Sequence, residues 1–320
     1  MAKTITTLAD LQKSATTYRR ELLMMPVITA EATLRHMRGI GGLMGNHTLG
    51  EPSGDAQLAP YKTTRGEDAA ITVTPRTLEV FLGNVAKHFD PNDVWGTIYG
   101  STTVQGEAMK NVPIAAQILL YVAGRLGKNL NMAIWSAKRN DSGDATKDLF
   151  NGFDTITQTE IDGTKISEAV GNLKDLEEIT ADNAVDQIKA LYNAASDELQ
   201  GRPVNIYLSR DYYKAYCEDY KTTTGAVPYN TEFKKTFLEG SDDLATFVPL
   251  TSKKGSKFIH ISPRENMVYG YGSGEYPGEL VAIEKYSSWK LTAECAMAFG
   301  VQFDSISPEA LIVGRVGGGA

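Results

Sequence analysis

Metal-binding and redox side chains are scarce in this sequence: its 320 residues hold two cysteines and four histidines. His36, His47, His88 and His260 show no pairing at i, i+3 or i, i+4, and neither Cys217 nor Cys295 lies at a ligand spacing from them. The pattern that builds a zinc or iron site is therefore missing. The two cysteines stand far apart, in segments that read as a helix and a strand, which fits two buried free thiols in a reducing compartment. No GxSxG, HExxH or P-loop pattern occurs, which removes the commonest signatures of acyl transfer, zinc proteolysis and nucleotide hydrolysis. No catalytic residue, cofactor or metal ligand is assigned, and the chain is not read as an enzyme.

Long hydrophobic runs are missing as well. The most apolar segment, VPIAAQILLYVAG, is interrupted by Gln117 and followed by Arg125, and it falls short of the roughly 20 apolar residues that cross a bilayer. The opening MAKTITTLADLQKSATTYRRELLMM is polar and has no apolar core with a cleavage site, so a soluble cytoplasmic product without a membrane partner is expected. There is no basic surplus: 32 Lys and Arg stand against 39 Asp and Glu, a net charge of -7. That balance argues against a protein that grips nucleic acid through a dominant basic face.

What is present suffices for real cores, with 42% hydrophobic residues, and the length suggests about two domains. Residues 1–37 read as polar and mainly helical, with too few apolar positions for a core of their own. From Gly39 to about Arg76 the chain is rich in glycine and reads as strand-poor, an excursion of a length that is usually functional. It is closed by a returning strand over 71–82. Helix follows over 91–135, and in its second part Ile114, Ile118, Val122, Leu126 and Leu130 recur at i, i+4 while Ala115, Leu119 and Ala123 widen the stripe, so this helix is expected to be buried on most sides.

Next comes DLFNGFDTI. Asn151 and Gly152 are the residue types that tolerate positive φ, so the pair predicts a tight type I′ reversal. Phe150 and Phe153 flank it, and their ordinary burial preference favours packing into the chain's own core over packing outward against another chain. Beyond the turn, ITADNAVDQIKALYNAASDELQGRP reads as one amphipathic helix with Val185, Ile188, Leu191, Tyr192, Ala195 and Leu199 inward. VNIYLS reads as a strand, and Ser209 as the cap of the helix RDYYKAYCEDYK. The remainder, from DLATFVPLTS to EALIVGRV, alternates as strands. The loop GYGSGEYPGE, Gly270 to Glu279, has a G-x-G-x-G spacing, but a strand follows it where a dinucleotide site needs a helix N-terminus, so it is read as a plain hairpin loop.

Taken in order, these segments resemble the major capsid proteins of tailed bacteriophages with the Hong Kong 97-type fold. The resemblance runs from about residue 50 to 316 and is carried by LAPYKTTRGEDAAITVTPRTLEVFL, VPIAAQILLYVAGRLGKNLNMAIW, DLFNGFDTI, VNIYLSRDYYKAY, FVPLTS and SPEALIVGRV. It implies an α+β fold divided into an N-terminal arm (1–38), an extended hairpin or E-loop (39–82), a P-domain with a long spine helix at about 108–135 (83–175), an α+β A-domain (176–285), and return strands with a tail (286–320).

The resemblance also implies roles. Leu58, Pro60, Lys62, Arg65 and Ile71 would serve assembly on the E-loop, Ile114, Ile118, Val122, Leu126 and Leu130 would form the spine, and Phe150, Asn151, Gly152 and Phe153 would make the junction turn. The arm and E-loop would reach across to adjacent subunits, completing the fold only in a shell of pentamers and hexamers around double-stranded DNA. Assembly in the bacterial host cytoplasm, into a virion capsid, would use a separate scaffolding protein and a portal. The Lys-Asn cross-link of some members is not expected, because Leu291 and Ala298 stand near the places of its Asn and Glu, with Lys62 near that of the Lys. An encapsulin-like nanocompartment shell is the first alternative, and a soluble nucleotide-binding enzyme using the loop 270–279 is the second.

Overall fold

The computed structural model describes residues 19–53, 60–61, 72–90, 114–224, 236–288 and 290–318. Within them lie seven α-helices: α1 (Arg19–Thr29), α2 (Glu31–Leu34), α3 (Ile114–Ser136), α4 (Phe153–Asp162), α5 (Ala184–Asn193), α6 (Asp197–Gln200) and α7 (Arg210–Thr224). The strands are β1 (Arg38–Gly41), β2 (His47–Ser53), β3 (Thr72–Leu78), β4 (Phe81–Phe89), β5 (Leu173–Leu176), β6 (Val204–Ser209), β7 (Ala245–Leu250), β8 (Phe258–Ser262), β9 (Met267–Tyr271), β10 (Leu280–Lys285), β11 (Leu291–Phe303) and β12 (Ile312–Val316). None of the helices among the described residues is long and apolar enough to cross a membrane.

The long strand β11 organises the first sheet. Phe299 pairs with Phe81 of β4 on one side and with Tyr271 of β9 on the other. Residues 291–296 lie between β4 and β10. β9 and β10 therefore run end to end along the same edge of β11, and the loop between them bulges out of one interrupted strand. This corrects the hairpin reading of GYGSGEYPGE: β9 and β10 are not partners. The bulge leaves Met297 and Ala298 without a strand partner on that edge, and the Glu279 carboxylate fills the gap. It is buried (4% exposed) and accepts the Ala298 N–H at 2.9 Å and the Gly274 N–H at 2.5 Å.

The second sheet has the order β5-β12-β8-β6-β7, and its strands alternate between two cores. Tyr207, Val248, Leu250, Phe258 and Val313 face a large core shared with the first sheet, α1 and α3. Ile206, Leu208, Phe247, Ile259, Ile261, Ile312 and Val316 face α5 and α7 across a second core. Sheet membership does not follow chain order: β9 and β10, within 176–285, join the first sheet, while β5 and β12 join the second.

Three local expectations are corrected. The stretch 39–76, read as strand-poor, contains β2, and β1 at its start pairs in parallel with β9. The returning strand breaks at Glu79 and Val80, where the backbone crosses Gly300 so closely that a Cβ there would lie 2.0 Å from the Glu79 oxygen. The amphipathic helix after Thr180 is two helices, because Ser196 accepts the Leu199 N–H at 3.2 Å and starts α6. The inward residues named for it are all buried nonetheless.

Candidate assembly elements and the buried junction

β2 and β3 form a ribbon of their own, antiparallel from His47 opposite Leu78 to Ser53 opposite Thr72. Its base is apolar: Leu49 and Leu78 are buried with Leu43, Val80 and Val268. Outward from there Gly50, Thr74 and Pro75 are exposed. Pro60 is exposed beside Tyr61, which is 92% exposed. Leu58, Lys62, Arg65 and Ile71 lie outside the described residues.

α3 carries the spine residues. Ile114 and Ile118 belong to its first turns, Val122 and Leu126 are half-buried, and Leu130 is buried. Over residues 121–136, whose side chains are described, the expectation of burial on most sides is not met. Ala123, Leu130, Ala133 and Ile134 face the core, while Tyr121 (60% exposed) and Met132 (48%) lie on the open side with Arg125 and Lys128. Over the described side chains the apolar repeat was wider than the buried stripe, and the open side mixes two large apolar side chains with two basic ones. Residues 19–34 settle on the chain's own α3, with Leu22, Leu23, Val27 and Leu34 in the shared core. That corrects, for these residues, the expectation that the arm lies on another subunit.

The junction turn is built differently from a type I′ reversal. Gly152 has φ -77° and ψ 168° and is the N-cap of α4, and Asn151 is not in the positive-φ region. The Gly152 N–H donates to the Ala137 carbonyl at 2.8 Å, the Asn151 Oδ1 accepts the Arg139 N–H at 2.9 Å, and the Thr155 hydroxyl donates to Ala137 at 2.6 Å. The start of α4 is thus tied to the end of α3. Phe150 and Phe153 are buried in the chain's own core, against Phe299 and against Phe303 and Trp135.

Under this turn lies a buried polar cluster that no sequence pattern announced. The Lys253 ammonium donates to Asp154 Oδ1 at 2.7 Å, Ser256 Oγ at 3.0 Å and His260 Nδ1 at 3.2 Å, and it sits 4.1 Å from the centre of the Trp135 ring. With Nδ1 accepting, the His260 Nε2–H faces Thr157 Oγ1 at 2.9 Å. Burial holds His260 well below its ordinary value, with the Lys253 charge acting in the same sense. Burial also lowers Lys253, against the pull of Asp154. The Lys253 and His260 side chains are closed to solvent, and the cluster joins α3, α4 and β8. A neighbouring polar layer extends it, with the Thr33 hydroxyl 2.6 Å from Asn131 Oδ1 and 2.9 Å from Ser252 Oγ.

Among the described residues no group of three or more His, Cys, Asp or Glu could hold a metal ion. Cys217 is half-buried and Cys295 buried, both as free thiols, and burial pushes the Cys295 thiol up to about 11. Leu291 and Ala298 both lie in β11. One ion-paired side chain that sequence reading missed had a signal: Arg76 shares the parity of the buried Leu78 and Val80. Lys253 had none, since its partner Asp154 lies 99 residues away.

No family model and no curated protein matches this chain. Solved structures do. The chain is similar to the capsid of an empty GTA particle (TM-score 0.61, 11% identity, 90% of each chain covered). It is also similar to the satellite phage P4 procapsid that includes the size determination (Sid) protein (TM-score 0.56, 11% identity, 95% of this chain and 98% of that one). A third likeness is to Gordonia phage Cozz (TM-score 0.54, 10% identity, 92% and 86%). The chain has the capsid fold of the Hong Kong 97 type that its motifs resemble.

Proposed function

We propose that this chain is the structural subunit of an icosahedral bacteriophage capsid, assembled from many copies as pentamers and hexamers around double-stranded DNA. The observation that supports it best is the capsid fold over nine-tenths of the chain, with a two-stranded ribbon that leaves the body after its apolar base. Tyr121 and Met132, exposed on the open side of α3, give the shell a second surface to cover. A net charge of -7 suits a container, because lysine and arginine contacts to phosphate would hold the packed genome tightly and without sequence preference. Assembly in the host cytoplasm, with a separate scaffolding protein and a portal, completes the reading, and no catalytic step belongs to it.

Electron microscopy of the chain expressed with its neighbouring structural genes tests this. Uniform closed particles are expected, containing nuclease-protected DNA when made during phage growth. Replacing residues 52–73 by two glycines keeps Leu49, Arg76 and Leu78. It is expected to leave a folded subunit that forms no shells; normal particles from this variant would overturn the role given to the ribbon. Particles that hold a co-purifying enzyme and no DNA would overturn the genome-container reading.

A further inference from the structure

On the face of β3 that looks toward the body, side chains change character over three alternate positions. Leu78 is fully buried, Arg76 is half-buried and Thr74 is exposed. Arg76 is thus the outermost of these three side chains to be withdrawn from water. Its guanidinium forks between two elements: Nη2 donates to Glu160 Oε1 of α4 at 2.8 Å and to Gln302 Oε1 of β11 at 3.0 Å, while Nε donates to the Phe303 carbonyl at 3.2 Å. Gln302 answers through its amide, which donates to the Thr77 carbonyl at 3.1 Å. The ion pair is largely withdrawn from water, with Arg76 and Glu160 side chains 11% and 15% exposed, so its hydrogen bonds are stronger and less screened than those of a surface pair.

An apolar base alone leaves a two-stranded ribbon free to rock, because hydrophobic contact has no direction. The planar fork supplies the direction, with fixed angles to a helix and to a strand end at once. We propose that Arg76, held by Glu160, is the positioning residue that sets the angle at which the β2–β3 ribbon leaves the body, and through that angle the curvature of the assembled shell. The second half rests on the capsid reading; the first half stands on the isolated chain.

The experiment compares the full chain with Arg76→Ala, Arg76→Lys and Glu160→Gln. In the unassembled subunit, hydrogen exchange of the amides of residues 47–50 and 76–78 is expected to accelerate about tenfold or more in Arg76→Ala, the loss expected when hydrogen bonds to a charged group are removed. Amides of β6 and β8 should keep their rates, which separates loosening of the ribbon from loss of fold. In assembly, Arg76→Ala is expected to give particles of mixed diameter or open sheets, and Arg76→Lys, which keeps the charge opposite Glu160 and loses the fork, to fall between it and wild type. Unchanged exchange in Arg76→Ala overturns the proposal whatever the particles look like. Altered exchange with uniform particles of wild-type diameter overturns the link to curvature. A wild-type chain that never forms shells overturns the capsid reading and the curvature half with it, while the exchange data still decide the clamp.

Discussion

Gly152 has extended backbone that every residue type adopts, so the junction uses its small size and not its conformational freedom. A Cβ there would lie 2.4 Å from the Trp135 carbonyl oxygen and 2.8 Å from that of Ala133, and neither can move without shifting the end of α3. Gly152→Ala is therefore expected to lower stability by about 1–3 kcal/mol, the usual range for overpacking, read from urea unfolding of the subunit. An unchanged midpoint would show that the two elements yield more easily than their hydrogen bonds suggest.

Lys253 gives a sharper contrast at the same scale. Lys253→Met leaves Asp154 without its cation and should cost about 3–5 kcal/mol, while adding Asp154→Leu should recover most of that, since a buried pair removed together can be nearly neutral. If the double variant is no more stable than the single one, hydrogen bonds to Ser256 and His260 outweigh the pair. His260 adds a pH dependence. Its folded value lies below its unfolded value because burial disfavours the charged ring, so its contribution is fully present above about 6.5, and falls as pH drops toward the folded value. Replacing His260 by Gln should flatten that part of the stability profile below neutrality.

At the scale of elements, legibility followed the range of the interaction. The strands from β6 to β12 were readable because alternation is a local property of the backbone, and α7 because Ser209 accepts the Tyr212 N–H at 3.2 Å within its own first turn. The bulge between β9 and β10 was not readable: nothing within GYGSGEYPGE reveals that both neighbouring strands share one edge of β11. Nor was the true job of Gly152, since the oxygen it avoids belongs to Trp135, on another helix. The apolar repeat of α3 was legible as a helix but not as a surface, because apolar spacing reports what must leave water and not whether the subunit or a neighbour removes it. Tyr121 and Met132 supply a test at this scale. Replacing both by Ser should leave the subunit's melting temperature nearly unchanged, because both are already exposed, and should weaken assembly measured by light scattering. A loss of subunit stability as large as that of a core substitution would show that this face is covered within the chain.

For the whole molecule, the distribution of the two sheets along the chain matters more than their number. The chain passes from the first sheet to the second between β4 and β5, returns between β8 and β9, and crosses again between β11 and β12. The second sheet gives one face to the core it shares with the first sheet and the other to α5 and α7. Neither layer can lose its packing without exposing the other, so the subunit is expected to unfold as one cooperative unit despite a length that suggests two domains. Trp135 reports on the shared core, and Trp95 and Trp289 can be replaced by Phe to leave it as the sole tryptophan. Its fluorescence and the far-ultraviolet circular dichroism should then trace the same urea transition. A fluorescence midpoint clearly separated from the dichroism midpoint would mean that the layer formed by α5, α7 and the second sheet holds together by itself, and that the three crossings are connections without being a common core.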